Sequence, residues 1–140
     1  MGLDMFLFQK KRWQKSEEVG YWRNADAIHD WFIENVQKGN DDCKTYVVPR
    51  LKLQELKDTC EKVLKSLEEG GFTIHKEKDW EDKDIDVTIY QNTKLAEKLL
   101  PTCERYDNIY KEDLEHTIEI CNWCLSQDIP NSKFYYCSWW

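Results

Sequence analysis

Leu3-Asp4-Met5-Phe6-Leu7-Phe8, close to the start of the chain, and Phe134-Tyr135-Tyr136-Cys137-Ser138-Trp139-Trp140, at its far end, decide how the fold is read. In the first stretch Leu3, Met5 and Leu7 fall on one side of an extended chain and Asp4, Phe6 and Phe8 on the other, because successive side chains of a strand point to opposite faces. Both sides are partly apolar. The last stretch is strand-like as well, so the two ends of the sequence are free to pair.

The chain between them alternates helical and extended patterns. Residues 24–37 predict a helix with Ile28, Trp31, Phe32 and Val36 on one stripe, opened by Asn24 or Asp26 and closed before Gly39-Asn40. The clearest helix carries Leu53, Leu56, Cys60, Val63, Leu64 and Leu67 at spacings of three and four, and Gly70-Gly71 stops it. Glu61 and Lys65 form a favourable i,i+4 pair on its surface. A short helix is expected from Asn92 to Leu100, packed by Leu95 and Leu99 and ended at Pro101, and a long one over 110–127 with Leu114, Ile118, Cys121 and Leu125 inward. Thr45-Tyr46-Val47-Val48 reads as a short strand stopped by Pro49, Phe72-Thr73-Ile74 as a brief one, and Ile85, Val87 and Ile89 as the inward side of a third. Residues 10–19 are polar apart from Trp13 and Val19, and Gly20 punctuates them. Residues 76–84, with Trp80 at their centre, read as an exposed charged connection. The sum is a single α+β domain over residues 1–140, with three or four helices and a small, mainly antiparallel sheet.

The chain has 140 residues, with 20 basic and 27 acidic side chains and a formal net charge of −7. That balance argues against general nucleic-acid binding, which runs on positive surface, and no direct nucleic-acid partner is expected. No apolar run reaches the roughly 20 residues of a membrane span. The opening residues lack a basic segment before an apolar one, so no secretion signal is read and a cytoplasmic location, with no membrane partner, is expected. Six cysteines without such a signal read as mostly reduced.

Candidate chemistry is sparse. Cys121-Asn122-Trp123-Cys124 has the spacing of a metal or redox pair, but it falls inside a helix and no second pair stands at zinc-ribbon spacing. No glycine-rich phosphate motif occurs, and no cofactor is expected. His29, Asp41 and Asp42 are the candidates for proton transfer and cation binding. With Trp22 and Arg23 they would form a small-molecule or nucleotide site suited to metal-assisted hydrolysis: Arg23 holds an anion, His29 moves a proton, the two Asp hold the cation. The competing reading rests on seven Trp, seven Tyr and five Phe. Tyr21, Trp22 and Arg23, and Tyr135, Tyr136, Trp139 and Trp140, pair rings with polar neighbours, a composition suited to filling a partner's pocket. Open strand edges and terminal aromatics are also compatible with a homo-oligomer.

Four blocks in order, Met1-Gly2-Leu3-Asp4-Met5-Phe6-Leu7, Val19-Gly20-Tyr21-Trp22-Arg23-Asn24-Ala25 running into Ile28-His29-Asp30-Trp31-Phe32, Asn40-Asp41-Asp42-Cys43, and Phe134-Tyr135-Tyr136, span nearly the whole chain. Together they resemble a widespread family of small phage, prophage and mobile-element proteins that begin Met-Gly-Leu-Asp-Met. Relatives commonly carry a glycine- and phenylalanine-rich loop after a Leu-Pro pair. Here Leu100-Pro101 leads instead into Thr102-Cys103-Glu104-Arg105-Tyr106-Asp107-Asn108, and the segment between Trp13 and Glu17 is short. A ligand site built on that loop in relatives would be lost or changed in this chain. The resemblance implies a phage or mobile-element accessory protein that binds a bacterial host protein, for example a counter-defence inhibitor of a defence component such as a CRISPR nuclease; the missing catalytic signature points to a non-enzymatic one.

Overall fold

In the computed structural model, which describes residues 2–129 and 131–140, the two strand-like ends lie side by side. Strand β1 (Asp4–Lys10) is central. It pairs antiparallel with β2 (Glu17–Arg23) on one edge and with β6 (Lys133–Trp139) on the other. β6 in turn pairs with the short β3 (Tyr46–Val48), giving a four-stranded antiparallel main sheet of order β2-β1-β6-β3. β4 (Phe72–Lys78) and β5 (Asp84–Tyr90) form a separate two-stranded hairpin. The helices are α1 (Asp26–Asn35), α2 (Arg50–Glu69), α3 (Lys94–Leu99) and α4 (Asn108–Ser126). The fold is thus α+β, with four helices and two antiparallel sheets among the described residues. None of these helices is long and apolar enough to cross a membrane.

Alternation along the strands sorts the main sheet into two faces. Met5, Leu7, Trp22, Phe134 and Tyr136 point inward and are buried. They join Ile28 and Phe32 of α1, Leu53, Leu56, Cys60, Val63 and Leu67 of α2, and Leu114, Ile120 and Cys121 of α4 in one core cluster. Each fully buried side chain of this kind stabilises the fold by roughly 1.5–3 kcal/mol relative to exposure, so the helices hold to this side of the sheet. α2 and α4 are also joined at their ends. Arg50, in the first turn of α2, donates to the carbonyls of Leu125 and Gln127 at 2.7 Å each, satisfying acceptors that the end of α4 leaves without helical partners.

Several local expectations change. Asn24 and Asp26 do not cap α1. The Asn24 side chain accepts from the Leu3 amide, and the Asp26 carboxylate accepts from the Thr102 hydroxyl and the Cys103 amide, tying α1 to the loop ahead of α4. The cap of α4 is Asp107, which accepts from the amides of Ile109 and Tyr110. On α2 Glu61 pairs with Lys57 and Lys65 with Glu69, not Glu61 with Lys65. Residues 17–23 are a strand through Gly20, where a Cβ would stand 2.8 Å from Ile120 Cγ2. Gly20 there allows the close approach of α4 to β2, and does not end an element. The expected charged connection is split: Lys76, Glu77 and Lys78 extend β4, Asp84 opens β5, and residues 79–83 form the hairpin turn between them.

Candidate functional site

His29 is held in the interior by α1. Its Nδ1 lies 2.7 Å from the Tyr136 hydroxyl and its Nε2 lies 3.0 Å from Asp41 Oδ1. A carboxylate can only accept, so Nε2 donates its proton to Asp41, and Nδ1 shares a hydrogen bond with the Tyr136 hydroxyl. Trp140 donates its indole N–H to the same Asp41 oxygen at 2.8 Å. Hydroxyl, imidazole and carboxylate in series have the connectivity of a nucleophilic triad. The hydroxyl, however, belongs to a side chain with no exposed surface, whose ring lies flat on Phe32 at 3.9 Å between centroids. Burial pushes the Tyr136 phenol well above its ordinary value, away from the ionised form. The chain of bonds therefore works as a clamp. It fastens the residues after β6 to the loop before β3 and orients the imidazole, and it offers no substrate access to the hydroxyl.

The other members of the anticipated hydrolytic site are separated from it. Asp42 is engaged by the Tyr46 hydroxyl at 2.6 Å and the Lys44 amide at 3.2 Å. The Tyr46 bond holds its carboxyl below the ordinary carboxylate value. Asp41 and Asp42 serve different partners. Trp22 is buried and donates its indole N–H to Thr117 Oγ1 at 2.9 Å. Arg23, its neighbour on β2, emerges on the opposite face, as strand alternation requires. Cys121 and Cys124 are buried in α4, and burial pushes both thiols up to about 12, which opposes the thiolate form that a metal needs. Among the described residues no group of three or more His, Cys, Asp or Glu is gathered as a metal site, and all six cysteines are free.

The remaining sequence candidates meet on the outer face of the main sheet, which the core cluster does not use. The register places Arg23, Asp4 and Trp139 in one row, Tyr21, Phe6 and Cys137 in the next, and Glu18, Phe8, Tyr135 and Val47 in the third. Phe6 is packed between Phe8, whose ring is nearly parallel at 6.0 Å, and Tyr21 at 5.3 Å. Tyr21 donates its hydroxyl to Asp4 at 2.5 Å and Arg23 binds the same oxygen at 2.9 Å. The Tyr21 bond is the main cause of a lowered Asp4 pKa and of a raised Tyr21 pKa. Trp139 is 65% exposed and Val47 49%. Tyr21, Arg23, Tyr135 and Trp139 are therefore brought together. Trp22 and Tyr136 are removed from the surface to the inner face, and Trp140, still exposed, turns to Asp41.

Phe6, Phe8 and Val47 belong to this face and were not among the residues singled out from the sequence. The alternation of β1 puts Phe6 and Phe8 on one side, but only the pairing of β1 with both β2 and β6 brings them beside Tyr21 and Tyr135. No protein-family model, curated protein or solved structure matches the chain.

Proposed function

We propose that this chain is a non-enzymatic phage or mobile-element accessory protein that binds a bacterial protein through the outer face of its main sheet. The observation that carries the reading is the contiguous aromatic face of Phe6, Phe8, Tyr21, Tyr135 and Trp139 on the side of the sheet away from the helices. Monomeric proteins rarely leave large contiguous apolar patches to water, and aromatic anchors dominate the energetics of protein interfaces. The Asp4–Tyr21–Arg23 group supplies a polar rim. A bacterial defence component is the partner class that the family resemblance suggests. The small-molecule or hydrolase reading has less support, because its five residues are divided between the interior, a loop and the outer face.

The test is capture of host protein by tagged chain, with fold checked by circular dichroism. Trp139→Ala, on the face, reduces capture of a specific protein at least tenfold, in keeping with loss of an interface anchor. Trp140→Ala, off the face, leaves capture intact. Equal capture by wild type and by folded Trp139→Ala and Val47→Lys variants overturns the reading. A shift to a dimer in solution that Val47→Lys abolishes would assign the face to a second copy of the chain instead.

A further inference from the structure

The net charge of −7 conceals a basic pole. From Met5 to Ser16 the chain carries Lys10, Lys11, Arg12 and Lys15 and no acidic residue. The β1–β6 register sets Lys133 opposite Lys10. Lys52, Lys57, Lys65, Lys78 and Lys83 each make an ion pair, whereas none of the five cations at this pole does so among the described residues. Lys10 only donates to the Gln14 carbonyl at 3.0 Å.

Two adjoining hollows run through this pole. One, of about 300 Å³, is lined by Lys10, Lys11, Arg12, Asn131, Lys133 and Tyr135. The other, of about 360 Å³, is lined by Phe8, Lys10, Ser16, Thr45 and Tyr135. They share Lys10 and Tyr135, so the trough passes from a cationic rim onto the aromatic sheet face. Beyond the rim Trp13 stands 87% exposed in the β1–β2 turn, with the Arg12 guanidinium 5.1 Å from the ring centroid.

We propose that this pole binds single-stranded nucleic acid, with Lys10, Lys11, Arg12 and Lys133 along the phosphates and Phe8, Trp13 and Tyr135 stacking bases. An unpaired strand is the ligand class that presents repeated negative charge together with unstacked flat rings, and aromatic platforms beside a positive groove bind it without needing base identity. A duplex hides its ring faces. An acidic peptide supplies charge and leaves the rings without stacking partners. The acids of the β4–β5 hairpin do not cancel the pole. That hairpin is attached by the Ile89–Asp107 bridge at the start of α4, whereas the pole follows the other end of α4. Nineteen helical residues span about 28 Å, more than three times the screening length of about 8 Å at physiological ionic strength. The register sets Glu17 and Glu18, both exposed, opposite Gln9 and Phe8 beside the pole.

The experiment is fluorescence anisotropy of the full chain with labelled 15-nucleotide oligothymidylate and oligouridylate, whose two arms separate a DNA from an RNA preference, against increasing salt. Saturable binding of at least one oligomer is expected. Its log–log salt slope should be about −3, as four to five phosphate contacts give for a single strand. Lys10→Glu with Arg12→Glu, both exposed, should weaken binding more than thirtyfold, Trp13→Ala about tenfold, and Glu18→Lys should strengthen it severalfold. The proposal is overturned by no binding to either oligomer, by equal binding of a duplex of the same length, by equal competition from polyglutamate, which would point to an acidic protein surface, or by folded pole variants that bind as wild type. The outcome is separable from the protein-binding reading: Lys10→Glu/Arg12→Glu retains protein capture through Trp139, and Trp139→Ala retains the oligomer.

Discussion

The main sheet and the β4–β5 hairpin use the same antiparallel pairing to different ends. In the main sheet every strand has an inner set of side chains locked into the helices, so its register is fixed by burial. In the hairpin only Val87 and Tyr90 are buried, while Phe72 and Ile74 are 55% and 61% exposed and Trp80, in the turn, is 91% exposed. What holds the hairpin is the Ile89–Asp107 bridge, the Arg105–Glu77 pair at 2.6 Å and the bond from the Tyr90 amide to the Tyr106 carbonyl. The difference teaches that one buried face is enough to hold a sheet and leave its other face at the surface. A ribbon with little burial on either face depends on a few tethers and opens locally at low cost.

Four substitutions bear on this contrast. Tyr136→Ala, at the centre of the main sheet, removes a ring packed on Phe32 and should cost about 3–5 kcal/mol in denaturant unfolding; a loss under 1 kcal/mol would refute the role given to the inner face. Tyr136→Phe keeps that ring and leaves His29 Nδ1 without its partner, at a cost of about 1–2 kcal/mol, which separates packing from the clamp. Asp113, on the helix beneath the main sheet, is next. Burial raises its pKa to about 6. A carboxyl that is harder to ionise in the folded chain than in the unfolded one contributes stability below the unfolded value near 4 and loses it as pH rises through 6. Asp113→Asn should therefore leave stability unchanged near pH 3.5 and raise it by about 1 kcal/mol at pH 7, a modest figure because the carboxyl keeps contact with water. Chemical melts at the two pH values check the sign, and equal effects at both would remove the assignment. Arg105→Ala should leave the global unfolding midpoint in place and speed hydrogen exchange of the β4–β5 amides alone. Slower or unchanged exchange there would show that the hairpin does not hang on that tether.

How much of this could be read from the residues varies with burial. α2 was legible because Leu53, Leu56, Cys60, Val63 and Leu67 all face one core. β1 and β6 were legible because Met5 and Leu7 on the one, and Phe134 and Tyr136 on the other, alternate along the inner side, although the polar Gln9 and Ser138 close those rows. β2 was not, since its first residues are exposed acids and Gly20 resembles a stop, when its missing side chain in fact admits Ile120. The outer half of β4 was hidden for a related reason: a strand exposed on both faces carries no apolar alternation to detect. The aromatic clusters were visible as compositions. Which of their members reach the surface depends on strand phase, and phase set Tyr21 apart from Trp22 and Tyr135 apart from Tyr136. The basic pole was obscured by summing charge over the whole chain.

The pairing of β1 with β6 joins the first strand to the last, so the middle of the main sheet closes across almost the entire sequence. Contacts of such long range carry a large loop-closure cost and slow the approach to the native state. During synthesis β1 and β2 can form their ribbon early, with the Phe6–Tyr21 contact already made, but Tyr135 and Trp139 arrive only when the final strand leaves the ribosome. The aromatic face therefore forms only once β6 has been made, and a chain shorter than that carries just its Phe6–Tyr21 part.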